Sequence, residues 1–363
     1  MKKITLLCCL LLAVSLLAGC AGTPVVYYSD CTCPVDAHVE PQTPAAEPAA
    51  PEAPAAEGAL KTGLALVTGL GKSASASAEG NGKADYDVTM VAVLVDDNGV
   101  IQDCKIDGIA ASVEFDTTGA IVSDLTAPVL TKNEKGADYN MVAWGGAIAE
   151  WDAQAAALAS FAKGKTVEEL KNGAVDETGY APEGSDLATS ATIYLGGYVS
   201  AIEQAAVNAQ HLGAQAGDGL KLAVLSKISG STPADAENAG NAQLDADVTA
   251  LTVRDGVITS CIIDAVQAKV AFDQTGTVTS DLSVPVQTKN QLGENYGMVA
   301  WGGAVAEWNE QAASFASYIT GKTAEQVMGI AIDEATKPTE ADLSTSVTIS
   351  IGGFQALIQK AAQ

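Results

Sequence analysis

The run MVAWGGAIAEW at residues 141–151 returns at residues 298–308 as MVAWGGAVAEW, with Ile148 exchanged for Val305 and nothing else altered. Around it the chain repeats more loosely. KTGLALVTGLGKS (61–73) answers to DGLKLAVLSKIS (218–229), DVTMVAVLVDDNGVIQDCKID (87–107) to DVTALTVRDGVITSCIID (247–264), and PVLTKNEKGADYNMVAWGG (128–146) to PVQTKNQLGENYGMVAWGG (285–303). A period this long, present twice, reads as duplication of a whole domain, because solenoid units are much shorter. Whatever one half folds into, the other must fold into as well. A stretch kept nearly unchanged while its surroundings drift is held either by demanding packing or by a ligand.

Each half reads as strands first and helices after. DVTMVAVLV and VIQDCKID are β-rich runs joined through Asn98-Gly99, and the second half uses Asp255-Gly256; both pairs favour tight hairpin turns. SVEFD turns through Thr118-Gly119 into AIVSDL, and KVAFD through Thr275-Gly276 into TVTSDL, which extends the meander. From Trp144 to Ala162 the apolar positions take helical spacing, with Trp144 and Trp151 on one face. Thr166 to Glu169 and Thr323 to Gln326 read as capping boxes opening the next helix. Each half closes on a short strand and a final helix, at 190–209 and 346–362. The expected fold class is α+β: two tandem repeats, 59–213 and 214–363, each a twisted antiparallel sheet with helices packed beside it. With 48% hydrophobic residues in a chain of 363, each half has material for a core.

The first residues give a setting. MKKITLLCCLLLAVSLLAGC has two lysines, an apolar run too short for a membrane span, and small residues before Cys20. It resembles a bacterial lipoprotein signal (1–19), after which Cys20 carries the lipid and anchors the chain on the extracytoplasmic face of the cell membrane. Residues 20–58 continue as a Pro/Ala/Glu-rich tether with too few bulky apolar groups for a core. Extended at ~3.1 Å per residue, about 25 residues of it span roughly 75 Å. Cys31 and Cys33 stand in that tail, while Cys104 and Cys261 occupy matching positions and read as small buried hydrophobes. Formal charge is −25, which argues against nucleic acid as a partner and against direct docking on anionic headgroups.

Inventory excludes several mechanisms. The two histidines, His38 and His211, have no counterparts in the other half, which disfavours histidine-based nucleophilic catalysis and histidine-ligated metal. GKT at 164–166 and 321–323 lacks the upstream glycine of a P-loop, which is Ala159 or Ala316 here. Asp96-Asp97 is replaced by Arg254-Asp255 in the second half, so a hydrolytic carboxylate pair is also disfavoured.

What both halves share is Lys132 and Lys289, Tyr139 and Tyr296, Met141 and Met298, Trp144 and Trp301, then Gly145-Gly146 and Gly302-Gly303 at an expected helix start. A cation, flat rings, a thioether and a glycine-lined helix N-terminus suit a planar anionic ligand. Alternatively, the tryptophans are core knobs and the glycines permit close helix–sheet contact.

Downstream, Asp186-Leu-Ala-Thr-Ser-Ala-Thr192 and Asp342-Leu-Ser-Thr-Ser-Val-Thr348 each set a threonine among small residues ahead of a helix. This segment resembles that of the FMN-binding domain family, found in extracellular flavin lipoproteins and membrane redox-pump subunits. The resemblance implies FMN as cofactor, held as a phosphoester at Thr192 or Thr348 or held noncovalently, with Asp186 and Asp342 in the recognition segment. The family's middle glycine is Ser190 or Ser346 here, and the residue two beyond the threonine is Ser350 in the second half but Tyr194 in the first. The second half therefore keeps the pattern better. The implied function is electron transfer between a membrane redox donor and an external acceptor, the flavin supplying the redox chemistry; if redox-active, the chain is an electron-transfer flavoprotein rather than a hydrolase. The alternatives are noncatalytic surface binding or adhesion, and capture of another small anionic solute, on the same duplicated fold.

Overall fold

The computed structural model describes residues 58–363. The expected leader (1–19), Cys20, Cys31, Cys33, His38 and nearly all of the tether (20–58) lie outside the described residues. The described part is α+β, with two three-stranded antiparallel sheets and short helices grouped beside them. None of those helices is long and apolar enough to cross a membrane.

The first sheet has the order β1 (Lys61–Gly69), β2 (Gly82–Val95), β3 (Ile101–Phe115), and the second β4 (Gly219–Lys227), β5 (Gly240–Arg254), β6 (Val257–Phe272). Asp255 and Gly256, both at positive φ, make the tight turn from β5 to β6. In the first half the turn is one step looser, closed by Gly99 N–H donating to Asp96 O. Alternation along β2 decides the layering. Ala84, Tyr86, Val88, Met90, Ala92 and Leu94 belong to one buried cluster, and Val91, Val93 and Val95 to another on the opposite face.

The second of those faces carries helices. α3 (Trp151–Ala162) lies over β3, and α5 (Gly196–Val207) over β1 and β2, with α4 (Val167–Ala174) against α5. In the second half α8 (Trp308–Ile319) lies over β6 and α11 (Gly352–Ala361) over β4 and β5, with α9 (Ala324–Met328) against α11. Thr166 and Thr323 close the capping boxes read from the sequence, and Thr131 and Thr288 close two more at α1 (Lys132–Lys135) and α6 (Lys289–Leu292).

The remaining sheet faces pack on each other. One cluster draws Leu64, Tyr86, Val88 and Met90 together with Leu220, Val224, Leu244 and Val248, giving four layers in the order helices, sheet, sheet, helices. At its end Phe115 and Phe272 stack with centroids 4.0 Å apart and rings 2° from parallel. The contacts that lock the halves are reciprocal: Ala76 N–H donates to Gly276 O, and Ala234 N–H to Gly119 O. Both glycines stand at positive φ, and a Cβ on Gly276 would meet Ala76 Cβ at 2.6 Å, so these turns require glycine.

Three local expectations are corrected. AIVSDL and TVTSDL add no strands, only the single bridges Phe115–Ile121 and Phe272–Val278, because Ser123 and Ser280 hydroxyls take the Glu114 and Ala271 amides near the end of the ladder. Residues 190–195 and 346–351 are not strands, since side chains capture their amides, as described below. The helix expected from Trp144 to Ala162 is two helices. Gly146, in the left-handed region, ends α2 (Met141–Gly145) before α3 begins, and Gly303 ends α7 (Met298–Gly302) in the same way.

Candidate functional site

The repeated run now divides by role. Glu150 precedes α3, and its carboxylate accepts from Met141 N–H (2.9 Å) and Val142 N–H (3.1 Å), fastening the free end of α2 to the start of α3. Glu307 does the same for Met298 and Val299, at 2.8 and 3.0 Å. Trp151 and Trp308 are buried under the helices. Thus MVAWGGAIAEW contains a carboxylate clamp and a core indole, which account for Glu150 and Trp151.

They do not account for the rest. Trp144 is 89% exposed and Trp301 92%, and each stands with exposed apolar neighbours, Val142 and Ile148 or Val299 and Val305. The reading of Trp144 and Trp301 as core knobs is overturned. Tyr139 and Met141, like Tyr296 and Met298, are partly buried against the helix-side cores. Gly145-Gly146 and Gly302-Gly303 lie at the C-terminal end of their helices, with Gly146 N–H already donating to Met141 O and Val142 O. The expected glycine-lined N-terminus is therefore not there, and the carbonyl end of a helix does not favour a phosphate.

Lysine placement is a second correction to the expected anion site. Lys132 is 4% exposed, lies along Gly108, where a Cβ would meet its Cδ at 3.0 Å, and pairs with Asp87 at 3.1 Å. Its ammonium also sits over the rings of Tyr139 (5.8 Å) and Trp151 (5.1 Å). Burial works against its charge, yet Tyr198, Asp87 and Tyr139 together outweigh that and hold its pKa above the ordinary lysine value. Lys289 sits over Tyr296 (5.2 Å) and Trp308 (4.7 Å). Lys132 is thus committed to the interior, whereas Lys289, above its own two rings, is only half-buried.

The threonines are held by a residue that motif reading missed. Gln154, fully buried on α3, accepts through Oε1 from Thr192 N–H (2.8 Å), Ile193 N–H (3.2 Å) and Thr192 Oγ1 (3.4 Å), while its Nε2 donates to Ala149 O (2.7 Å). Gln311 repeats this with Thr348 N–H (2.8 Å), Ile349 N–H (3.2 Å), Thr348 Oγ1 (3.2 Å) and Ala306 O (2.7 Å). A signal existed: glutamine stands three residues past the second tryptophan of the run in both halves. Thr192 remains exposed and Thr348 half-buried. Glycine-lined helix N-termini do follow them, at Gly196-Gly197 of α5 and Gly352-Gly353 of α11, neither with a side-chain cap. Tyr194 covers the first, its hydroxyl 2.7 Å from where a Gly196 Cβ would be.

The first turn of α3 thus ties the fragments together. Glu150 fixes the Trp144 helix, Trp151 covers Lys132, and Gln154 holds Thr192; α8 does the same for Trp301, Lys289 and Thr348. Asp186 and Asp342 are exposed without side-chain capping bonds, Ser190 is exposed, and Ser346 Oγ is turned back to Leu343 O. These four do not join the cluster. Cys104 and Cys261 are free and buried, and burial raises both thiols to about 12, which leaves them unreactive. Among the described residues no group of histidine, cysteine and carboxylate side chains is arranged to hold a metal ion. No protein-family model matches the chain, no curated protein matches it, and no solved structure matches it.

Proposed function

We propose that the chain is a duplicated, lipid-anchored surface protein with one flavin-type site per half, serving electron transfer on the extracytoplasmic side of the membrane. The observation that carries this reading is the exposure of Trp144 (89%) and Trp301 (92%) inside a run kept almost unchanged between the halves. An exposed indole contributes little to stability, so its retention twice points to something that stacks on it. Thr192 and Thr348 would hold FMN through its phosphate or accept it as a phosphoester, and the free N–H groups at Gly352-Gly353, less shielded than Gly196-Gly197 by a neighbouring ring, would receive phosphate oxygens. The flavin, when bound, supplies the electron-carrying chemistry. The protein's own part is to present the indole, fix the threonine through Gln154 or Gln311, and hold the site beyond the membrane on the tether after Cys20.

Intact mass spectrometry of the full exported chain tests this, together with its visible absorbance. One or two FMN-sized adducts, or noncovalent flavin released on denaturation, are expected; a flavin-free chain from a host that exports and flavinylates proteins overturns the reading. Covalent loading should favour Thr348 over Thr192.

A second reading, noncatalytic binding or adhesion through the same tryptophans, is favoured by one observation: Lys132 is buried and paired with Asp87, which leaves the motif of the first half no lysine to meet a phosphate. Trp144→Ala with Trp301→Ala separates the two. Both readings expect a folded protein, but only the coenzyme reading expects loss of flavin.

A further inference from the structure

Each half has a groove between its last strand and the long helix above it. In the first half it runs between β3 and α3, encloses about 340 Å³, and is lined by Lys105, Asp152 and Lys163. Across it Lys163 pairs with Asp103 at 2.6 Å. In the second half the same positions bound a cavity of about 680 Å³, to which Gln210, His211 and Leu212 of the connecting segment add a wall. There the charges are gone. Asp103, Lys105, Asp152 and Lys163 are replaced by Ser260, Ile262, Asn309 and Thr320. Loss of every charge in one copy, with the cavity enlarged, is more than the drift of a solvated surface, where charge is ordinarily kept.

The lining that remains has a definite chemistry. Gln210, Asn290 and Asn309 contribute amides, each a donor and an acceptor, and Ser317 and Thr320 contribute hydroxyls. Asn290 is oriented by its own bonds, Nδ2 donating to Ile263 O at 3.0 Å and its backbone N–H to Asp264 at 3.0 Å. Asn309 Oδ1 is buried without a hydrogen-bond donor among the described residues. Ile262, Ile263 and Leu212 provide apolar surface. The histidine on the wall, His211, is held by Asp97 at 2.9 Å, and Lys61 reaches the same carboxylate at 3.3 Å, so these polar groups already answer one another within the protein. A charged guest would lose its hydration there with no free counter-charge to compensate. Small-molecule sites usually enclose about 300–1,000 Å³.

We propose that the groove between β6 and α8 binds an uncharged ring compound bearing amide or hydroxyl groups, between a pyrimidine base and an N-acetylated hexose in size. The proposal is independent of the coenzyme reading, since neither Trp301 nor Thr348 lines this groove.

Amide-detected NMR titration of the full chain tests it, with uracil and N-acetylglucosamine as neutral probes and orotate and N-acetylmuramate as their charged counterparts. At least one neutral probe is expected to saturate and to shift groove residues, its charged counterpart binding about tenfold or more weakly. Which neutral probe saturates distinguishes a base-like from a sugar-like guest. Ser317→Arg, at an exposed position, should abolish binding with the melting temperature unchanged, and Asn309→Asp, which restores the first half's charge, should weaken it by about tenfold. Saturation by neither neutral probe, equal binding of the charged ones, or indifference to both substitutions overturns the proposal.

Discussion

Asp264 is enclosed where β6 meets α6, 8% exposed, accepting from Ala265 N–H at 2.7 Å and Asn290 N–H at 3.0 Å. Burial outweighs those bonds and pushes its carboxyl up to about 6 from an ordinary 3.8. A carboxyl whose folded pKa lies above its unfolded one binds more protons when folded, so its contribution to stability is fully present below the unfolded value and is lost as pH rises through the folded one. At ~1.4 kcal/mol for each tenfold change in proton affinity, about 2–3 kcal/mol is at stake between roughly pH 4 and 6. Exposed carboxylates such as Asp116 and Asp273, held low by threonine hydroxyls and turn amides, act in the opposite sense and at lower pH. The difference between the wild type and Asp264→Asn isolates the buried group, because asparagine Oδ1 still accepts both amides. The expected result is that Asp264→Asn gains stability relative to wild type as pH is raised from 4 to 7, measured by denaturant titration; parallel curves for the two proteins would exclude the effect.

At the level of elements, α2 and α7 are five-residue helices with no buried residue of their own, and isolated turns of that length do not persist in water. What holds them is the carboxylate after them. Glu307, 5% exposed, takes two α7 amides, so Glu307→Ala should cost about 2–3 kcal/mol. It should also release Met298 and Val299 to fast hydrogen exchange while leaving β5 and β6 protected; unchanged exchange at those amides would refute the clamp. The sequence made β2, β3, β5 and β6, their hairpins and the two threonine capping boxes legible, because those signals are local: alternation, turn dipeptides and residues three apart. It misleads where a distant side chain takes over the backbone. Residues 190–195 look like a strand by composition, but Gln154 accepts the amides of Thr192 and Ile193, leaving no ladder to join. Lys132 looks available for a ligand because nothing local announces Asp87 or Trp151, brought to it from β2 and α3 by the fold. The exposure of Trp144 is equally hidden. Helical spacing puts it on the same face as Trp151, and the left-handed Gly146 breaks that relation.

Across the whole molecule the decisive contact is the one between the sheets. Composition suggests a core for each half, and each helix layer does cover its own sheet, but the largest buried cluster takes residues from both halves. Phe115 and Phe272 meet at its end, each ring also lying where a Cβ on Gly82 or Gly240 would be, at 2.4 Å. Neither ring keeps its stacking partner if the halves separate, so the face between the sheets cannot be left to one half alone. Phe115→Ala should therefore cost about 3–5 kcal/mol and lower a single melting transition, rather than one of two. A double-mutant cycle with Phe272→Ala should return a coupling of roughly 1 kcal/mol, the scale of an aromatic pair. Calorimetry decides the matter: two resolved transitions, only one of them moved by Phe115→Ala, would mean that the halves fold independently. With a single transition, a destabilising variant in either half should speed hydrogen exchange in the core strands of the other only at temperatures where the whole molecule begins to unfold.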